Sequence, residues 1–363
     1  MKRLLYAALL LLAFLGCSKN FADKGQPNDL WPFSSPEAQG MNGQLLSSAF
    51  SSAEAKGFVD GIVVIRNGTL VAERYYNGFD EYKPHNIMSV SKSFLSAMTG
   101  IAVDMGIISS LDEKMLDSFP EYQTADLDPL KQTITVRHLL TMRMGIRGEA
   151  DDNYGVYMDF YHSSNWIEKT INAPLVSDHG EKIHYNTFQT HLLAVLLSSK
   201  AGKSAFDFAT EYLCRPMNID IDAWEKDPQG NYFGGNSMYF TPREMAMLGY
   251  LYLQKGFLGG RQILSSSWVE LTLSPTSHSS HPNEWGALKN YSYGYLWWLG
   301  QINDYDLFMG YGYGGQFVVV FPDLQLIVVT TAKHQVDPDM STVQEWALFD
   351  ILSQYILPAV NIN

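Results

Sequence analysis

Strand-forming segments stand at both ends of this chain, and helical periodicity fills the stretch between them. Near the N-terminus, two β-branched runs flank Asn67-Gly68 within residues 61–72, the strongest short-range signal for a hairpin. Residues 293–298, 316–321 and 326–331 are again aromatic and β-branched, with Pro322-Asp323 as a turn between the last two. Between these ends lie amphipathic runs. Residues 93–105 place Phe94, Leu95, Met98 and Ile101 on one face, and residues 136–142 and 190–197 are apolar at helical spacing. Further helices are predicted over 41–57, after Pro242 and over 343–356. An α/β (α+β) fold follows. Its sheet domain is discontinuous, 41–86 with 236–363, and a mainly helical domain over 87–235 is inserted into it. A cleft between two such lobes is the natural place for a substrate.

Charge and export signals narrow the function. The formal net charge of −13 disfavours nucleic acid, and no basic stripe or Cys-x-x-Cys array argues otherwise. Residues 1–17 read as a targeting segment: Lys2 and Arg3, an apolar run over 4–15, then Phe14-Leu15-Gly16-Cys17. That ending resembles the lipobox of bacterial lipoproteins, with Cys17 as the acylated residue and Phe14 departing from the usual aliphatic. Residues 18–40, with Pro27, Pro32 and Pro36, read as a tether. The expected protein is thus an exported lipoprotein, periplasmic or outer-membrane-anchored, meeting the membrane through its lipid only. Cys214, the one remaining cysteine, lies in an apolar run and is expected to be an inert core thiol.

Ser89-Val90-Ser91-Lys92 carries the chemistry, and no other Ser-x-x-Lys occurs in the chain. At a helix N-terminus, residues i and i+3 share a face, so the amine can reach the hydroxyl. A serine hydroxyl becomes a competent nucleophile when a neighbouring base takes its proton, and a desolvated lysine can be that base. Taken alone, the motif fits equally an N-cap serine followed by a solvated lysine.

The order of hairpin, Ser-x-x-Lys helix, helical insert and glycine-rich strand resembles the penicillin-recognising serine hydrolases. Within them it is most similar to the class C β-lactamase-like group, including family VIII esterases and 6-aminohexanoate-dimer hydrolases. The stretches that carry the resemblance are residues 86–93, 134–140, 240–245 and 312–316, within a span of about 45 to 358. It implies a β-lactamase/transpeptidase-like fold, an antiparallel sheet flanked by helices. It also implies Tyr185 as the proton-transfer tyrosine of a Tyr-x-Asn motif, with Asn186 and Thr187 at the substrate. A phenolate base there requires cations such as Lys92 to pull its pKa below about 10. By the same resemblance, the backbone N–H of Tyr313 pairs with that of Ser89 as an oxyanion hole, flanked by Gly312 and Gly314. Two departures stand out. Thr187 occupies the position of the motif's Asn, and Gly310-Tyr311-Gly312 replaces Lys-Thr-Gly.

Those departures move the expectation from β-lactamase towards a hydrolase of small ester or amide substrates. The alternatives are a D,D-peptidase or β-lactamase proper, or a penicillin-binding sensor that acylates slowly without turnover. Trp166 and residues 154–161 are candidates for an apolar substrate wall. No cofactor or metal is expected: the close pair His278 and His281 sits in a Ser/Pro-rich stretch with no nearby Cys, which reads as a solvated loop.

Overall fold

The computed structural model describes residues 30–152, 154–278 and 284–360; Cys17 and His281 lie outside them. Helix α1 (Gly43–Lys56) opens on the Asn42 side chain, which accepts from the N–H groups of Gln44 and Leu45. Strands β1 (Val59–Arg66) and β2 (Thr69–Tyr75) form the expected hairpin. Asn67 and Gly68 both take positive φ, 51° and 71°, as a type I′ turn demands.

The C-terminal half supplies β3 (Leu288–Tyr293), β4 (Trp298–Ile302), β5 (Tyr305–Gly312), β6 (Gln316–Phe321) and β7 (Leu326–Ala332). The sheet runs β2-β1-β7-β6-β5-β4-β3, antiparallel throughout, with short edge strands flanking β3. The N-terminal strand β1 pairs with the last strand, β7, with Val63 opposite Val329 and Val64 opposite Val328. Both ends of the chain therefore close one sheet.

Alternation along the central strands divides the core in two. Val318, Val320, Ile327 and Val329 face one apolar cluster, shared with the helices of the insert. Phe317, Val319, Phe321 and Val328 face the other, packed against α1 and the C-terminal helix. Strands covered on both faces read as continuous apolar runs, which is what residues 316–321 and 326–331 show. The insert contributes α2 (Ser91–Asp104), α3 (Val136–Leu140), α4 (Gly155–Tyr161), α5 (Trp166–Asn172) and α6 (Thr187–Ala201). Helix α7 (Pro242–Leu253) starts from a Thr241/Glu244 capping box and lays Gly249 on Val318 and Val320. Helix α8 is Pro338–Ile351.

Two expectations change. Residues 293–298 are not one strand: β3 ends at Tyr293, Leu296 takes a φ of 61°, and β4 begins at Trp298. Gly294 is pressed so closely on Thr272 O that no side chain fits there, which forces the chain to turn despite its strand-like composition. The tether assigned to 18–40 is also shorter at its far end. From Trp31 onward the chain is docked, with Trp31 Nε1 donating to Arg243 O and Ser34 N donating to Leu70 O beside β2. Docking there covers an edge of the sheet.

Candidate active site

Helix α2 is buried on every side from Ser91 to Ala102, the pattern of a core helix rather than a surface one. Its buried hydroxyls are satisfied: Ser91 Oγ donates to Met88 O, and Ser93 Oγ to Leu296 O. A single helical turn, Met88–Val90, precedes it and carries Ser89. Met88 is held at a φ of 49°, an uncommon conformation for a non-glycine residue, and it leaves Ser89 partly exposed while Lys92 is sealed below.

Lys92 is 1% exposed. Its Nζ lies 2.8 Å from Ser89 Oγ, 2.9 Å from Thr187 Oγ1 and 2.8 Å from Gly235 O. When protonated, the amine donates to all three. When neutral, it keeps two N–H groups for Gly235 O and Thr187 and turns its lone pair towards the Ser89 hydroxyl. Burial favours that neutral form and lowers its pKa to about 7, against the opposing pull of the Glu149 carboxylate.

Tyr185 hydrogen-bonds Ser89 and places its ring 4.9 Å from Lys92 Nζ. Its ring stacks on Trp298 with centroids 5.9 Å apart, and Tyr293 meets it edge-on. Burial, helped by Tyr293 and Glu149, raises the phenol well above its usual pKa. Burial thus favours the neutral phenol at Tyr185, while at Lys92 it favours the neutral amine that can accept a proton.

Other expected contacts are also reassigned. Asn186 is fully buried as the N-cap of α6; its side chain accepts from Phe188 N and donates to Arg147 O, so it has no freedom to meet a substrate. Thr187 serves the lysine through its hydroxyl, while its N–H donates to Glu149 at 2.5 Å. Trp166 is core, not wall: its Nε1 donates to Tyr161 O and its ring meets Phe188, His191 and Phe233. Tyr154 lies edge-on to Tyr313, with ring centroids 5.6 Å apart, and its phenol acts electrostatically on Tyr185. Gly312 is a packing position, because a Cβ there would stand 2.6 Å from Ile87 O, just before the nucleophile. Gly314 turns away from the cleft; its N–H donates to Ser341 Oγ and Glu345 on α8. The Tyr313 side chain is likewise engaged elsewhere, its hydroxyl donating to Val336 O.

Two members of the site were not visible in the sequence. Glu149 is buried 38 positions before Thr187, and no spacing links them. Gly235 contributes only a carbonyl. The Gly234-Gly235 pair was its one signal, since a side chain on Gly235 would collide with Thr187 and Thr190.

Residues 51–352 match the Beta-lactamase family. The chain belongs to the β-lactamase family. Among its relatives, the 6-aminohexanoate-dimer hydrolase of Paenarthrobacter ureafaciens is 26% identical over 295 residues, covering 77% of this chain and 74% of that protein. The β-lactamase-family fold is shared with EstCE1, a hydrolase with promiscuous acyltransferase activity (TM-score 0.68), at 16% identity over 87% of this chain and all of that one. It is shared too with the octameric penicillin-binding protein homologue of Pyrococcus abyssi (TM-score 0.63, 18% identity, 88% of this chain and 78% of that one). Membership in this family makes the chain a β-lactamase-fold hydrolase.

Proposed function

We propose that this protein is a serine hydrolase that cleaves small ester or amide substrates through an acyl-enzyme on Ser89. The observation that carries this reading is the buried Lys92 amine 2.8 Å from Ser89 Oγ, with its pKa lowered to about 7. Neutral Lys92 takes the Ser89 proton as Oγ attacks the substrate carbonyl. The backbone N–H groups of Ser89 and Tyr313 hold the resulting oxyanion. Tyr185 gives its phenolic proton to the departing alkoxide or amine and is reprotonated from Lys92. Water then attacks the ester on Ser89, with its proton returning along the same relay, and the acid leaves.

Two features favour an esterase or amidase over a β-lactamase proper. Thr187 is committed to Lys92 and offers no carboxamide, and Gly310 stands where Lys-Thr-Gly would present a cation. The amide named in its relative, 6-aminohexanoate dimer, is consistent with this chemistry. Steady-state hydrolysis of a short-chain p-nitrophenyl ester, compared between wild type and Ser89→Ala, tests the proposal. Sustained turnover lost in the variant is expected; equal rates would remove Ser89 as nucleophile, and a stoichiometric burst without turnover would favour the sensor alternative.

A further inference from the structure

We propose that Glu345, on α8 and outside the cleft, is a positioning residue that holds the β5–β6 turn so that the Tyr313 N–H points at the oxyanion. This rests on the assignment of Tyr313 as an oxyanion donor. Four donors from separate places converge on the one buried carboxylate. Gly314 N at 3.1 Å and Ser341 Oγ at 2.8 Å donate to one oxygen; Trp285 Nε1 at 3.3 Å and Tyr311 Oη donate to the other. Gln344, the preceding residue, donates to Gly314 O at 2.8 Å and to Lys333 O at 2.8 Å. Both polar groups of Gly314 are therefore held by α8.

On the other side of Tyr313, Gly312 rests against Ile87 O with no room for a side chain. Tyr313 is thus gripped between two fixed points: the nucleophile's own turn through Gly312, and α8 through Gly314. Gly314 and Gly315 adopt φ of 76° and 98°, a turn with little intrinsic preference for one geometry, so external anchors must set it. A carboxylate is suited to this, since its two oxygens accept from several N–H and O–H groups at once. An oxyanion hole loses its value when its donor strays, because catalysis depends on donors aimed before charge develops.

The test compares p-nitrophenyl acetate with its thiono analogue, whose sulfur accepts hydrogen bonds poorly, in wild type, Glu345→Ala and Glu345→Gln. Wild type should prefer the oxo ester strongly. Glu345→Ala should lose about 10²-fold in kcat on the oxo ester, with KM little changed and the preference for oxygen largely erased. Glu345→Gln, which keeps a carbonyl for Gly314 N, should lie between them, and it carries the test should the alanine variant not fold. Equal losses on both esters, or unaltered kcat in a folded variant, would overturn the role of Glu345 while leaving the oxyanion hole standing. A wild type indifferent to the sulfur would overturn the Tyr313 assignment and the Glu345 proposal with it.

Discussion

Lys92 Nζ and Ser89 Oγ lie 2.8 Å apart, and only the serine reaches solvent. The lysine is fixed from behind by Thr187 and Gly235, so its third valence has one place to go. Burial makes the pair reactive by discouraging the charged amine.

A pH dependence follows. With the Lys92 pKa lowered to about 7, kcat/KM for a neutral ester should rise about tenfold per pH unit below that value and level off above it. The sign for stability is opposite to that of a paired lysine. The unfolded chain keeps its lysine protonated up to about 10.4, so between the two values it binds more protons than the fold, and stability from this group rises with pH. Thermal denaturation of wild type and Lys92→Met should show the wild type gaining on the variant from pH 7 to 10. A constant difference would mean that Lys92 titrates normally.

Tyr185→Phe should keep the fold and the Ser89–Lys92 contact but remove the relay. With the phenol held neutral by burial, we expect kcat to fall by about 10²–10⁴, with the acyl-enzyme accumulating as deacylation slows. Rapid-quench mass measurement reads this directly; an unchanged steady-state acyl level would assign the relay to another group.

Trp166→Ala separates core from substrate wall. Its ring is enclosed by Phe188, His191 and Phe233, so denaturant unfolding should show a loss of about 3–5 kcal/mol. The surviving folded enzyme should retain its KM across esters of different acyl length. A KM that changes with acyl length, without loss of stability, would return Trp166 to the cleft.

Gly312→Ala should injure catalysis through the backbone. The added carbon would stand 2.6 Å from Ile87 O, forcing β5 away from the nucleophile's turn. A cost of about 1–3 kcal/mol in stability is expected for such crowding, with a larger proportional fall in kcat than in folded fraction. Wild-type kcat would show that the two segments need not touch.

We also propose export with acylation at Cys17. Metabolic labelling with palmitate should mark the wild-type chain and not Cys17→Ser, which should leave the membrane fraction. Labelling of both would place the lipid elsewhere.

Much of the fold was legible because its signals are local. The Asn67-Gly68 turn, the helix start at Pro242 and the apolar runs of β6 and β7 are each encoded within a few residues. In the site, Ser89 and Lys92 are three residues apart, and the spacing paired them once the order of the surrounding motifs was added to it. Thr187, Gly235 and Glu149 come together only through tertiary packing, 95 and 143 positions from Lys92 in the first two cases. Misplaced residues share one cause: Asn186, Trp166 and Gly314 sit beside functional segments in sequence, yet cap, core and α8 contacts claim them. The turn after Tyr293 was missed because close approach of Gly294 to Thr272 overrides local strand propensity.

The most direct test of the central claim is to trap the covalent intermediate. Wild-type enzyme mixed with a slowly deacylating aryl ester, quenched in acid and digested, should yield one acylated peptide with the mass increment on Ser89. An increment on any other residue, or hydrolysis with no adduct while Ser89→Ala retains full activity, would contradict the account.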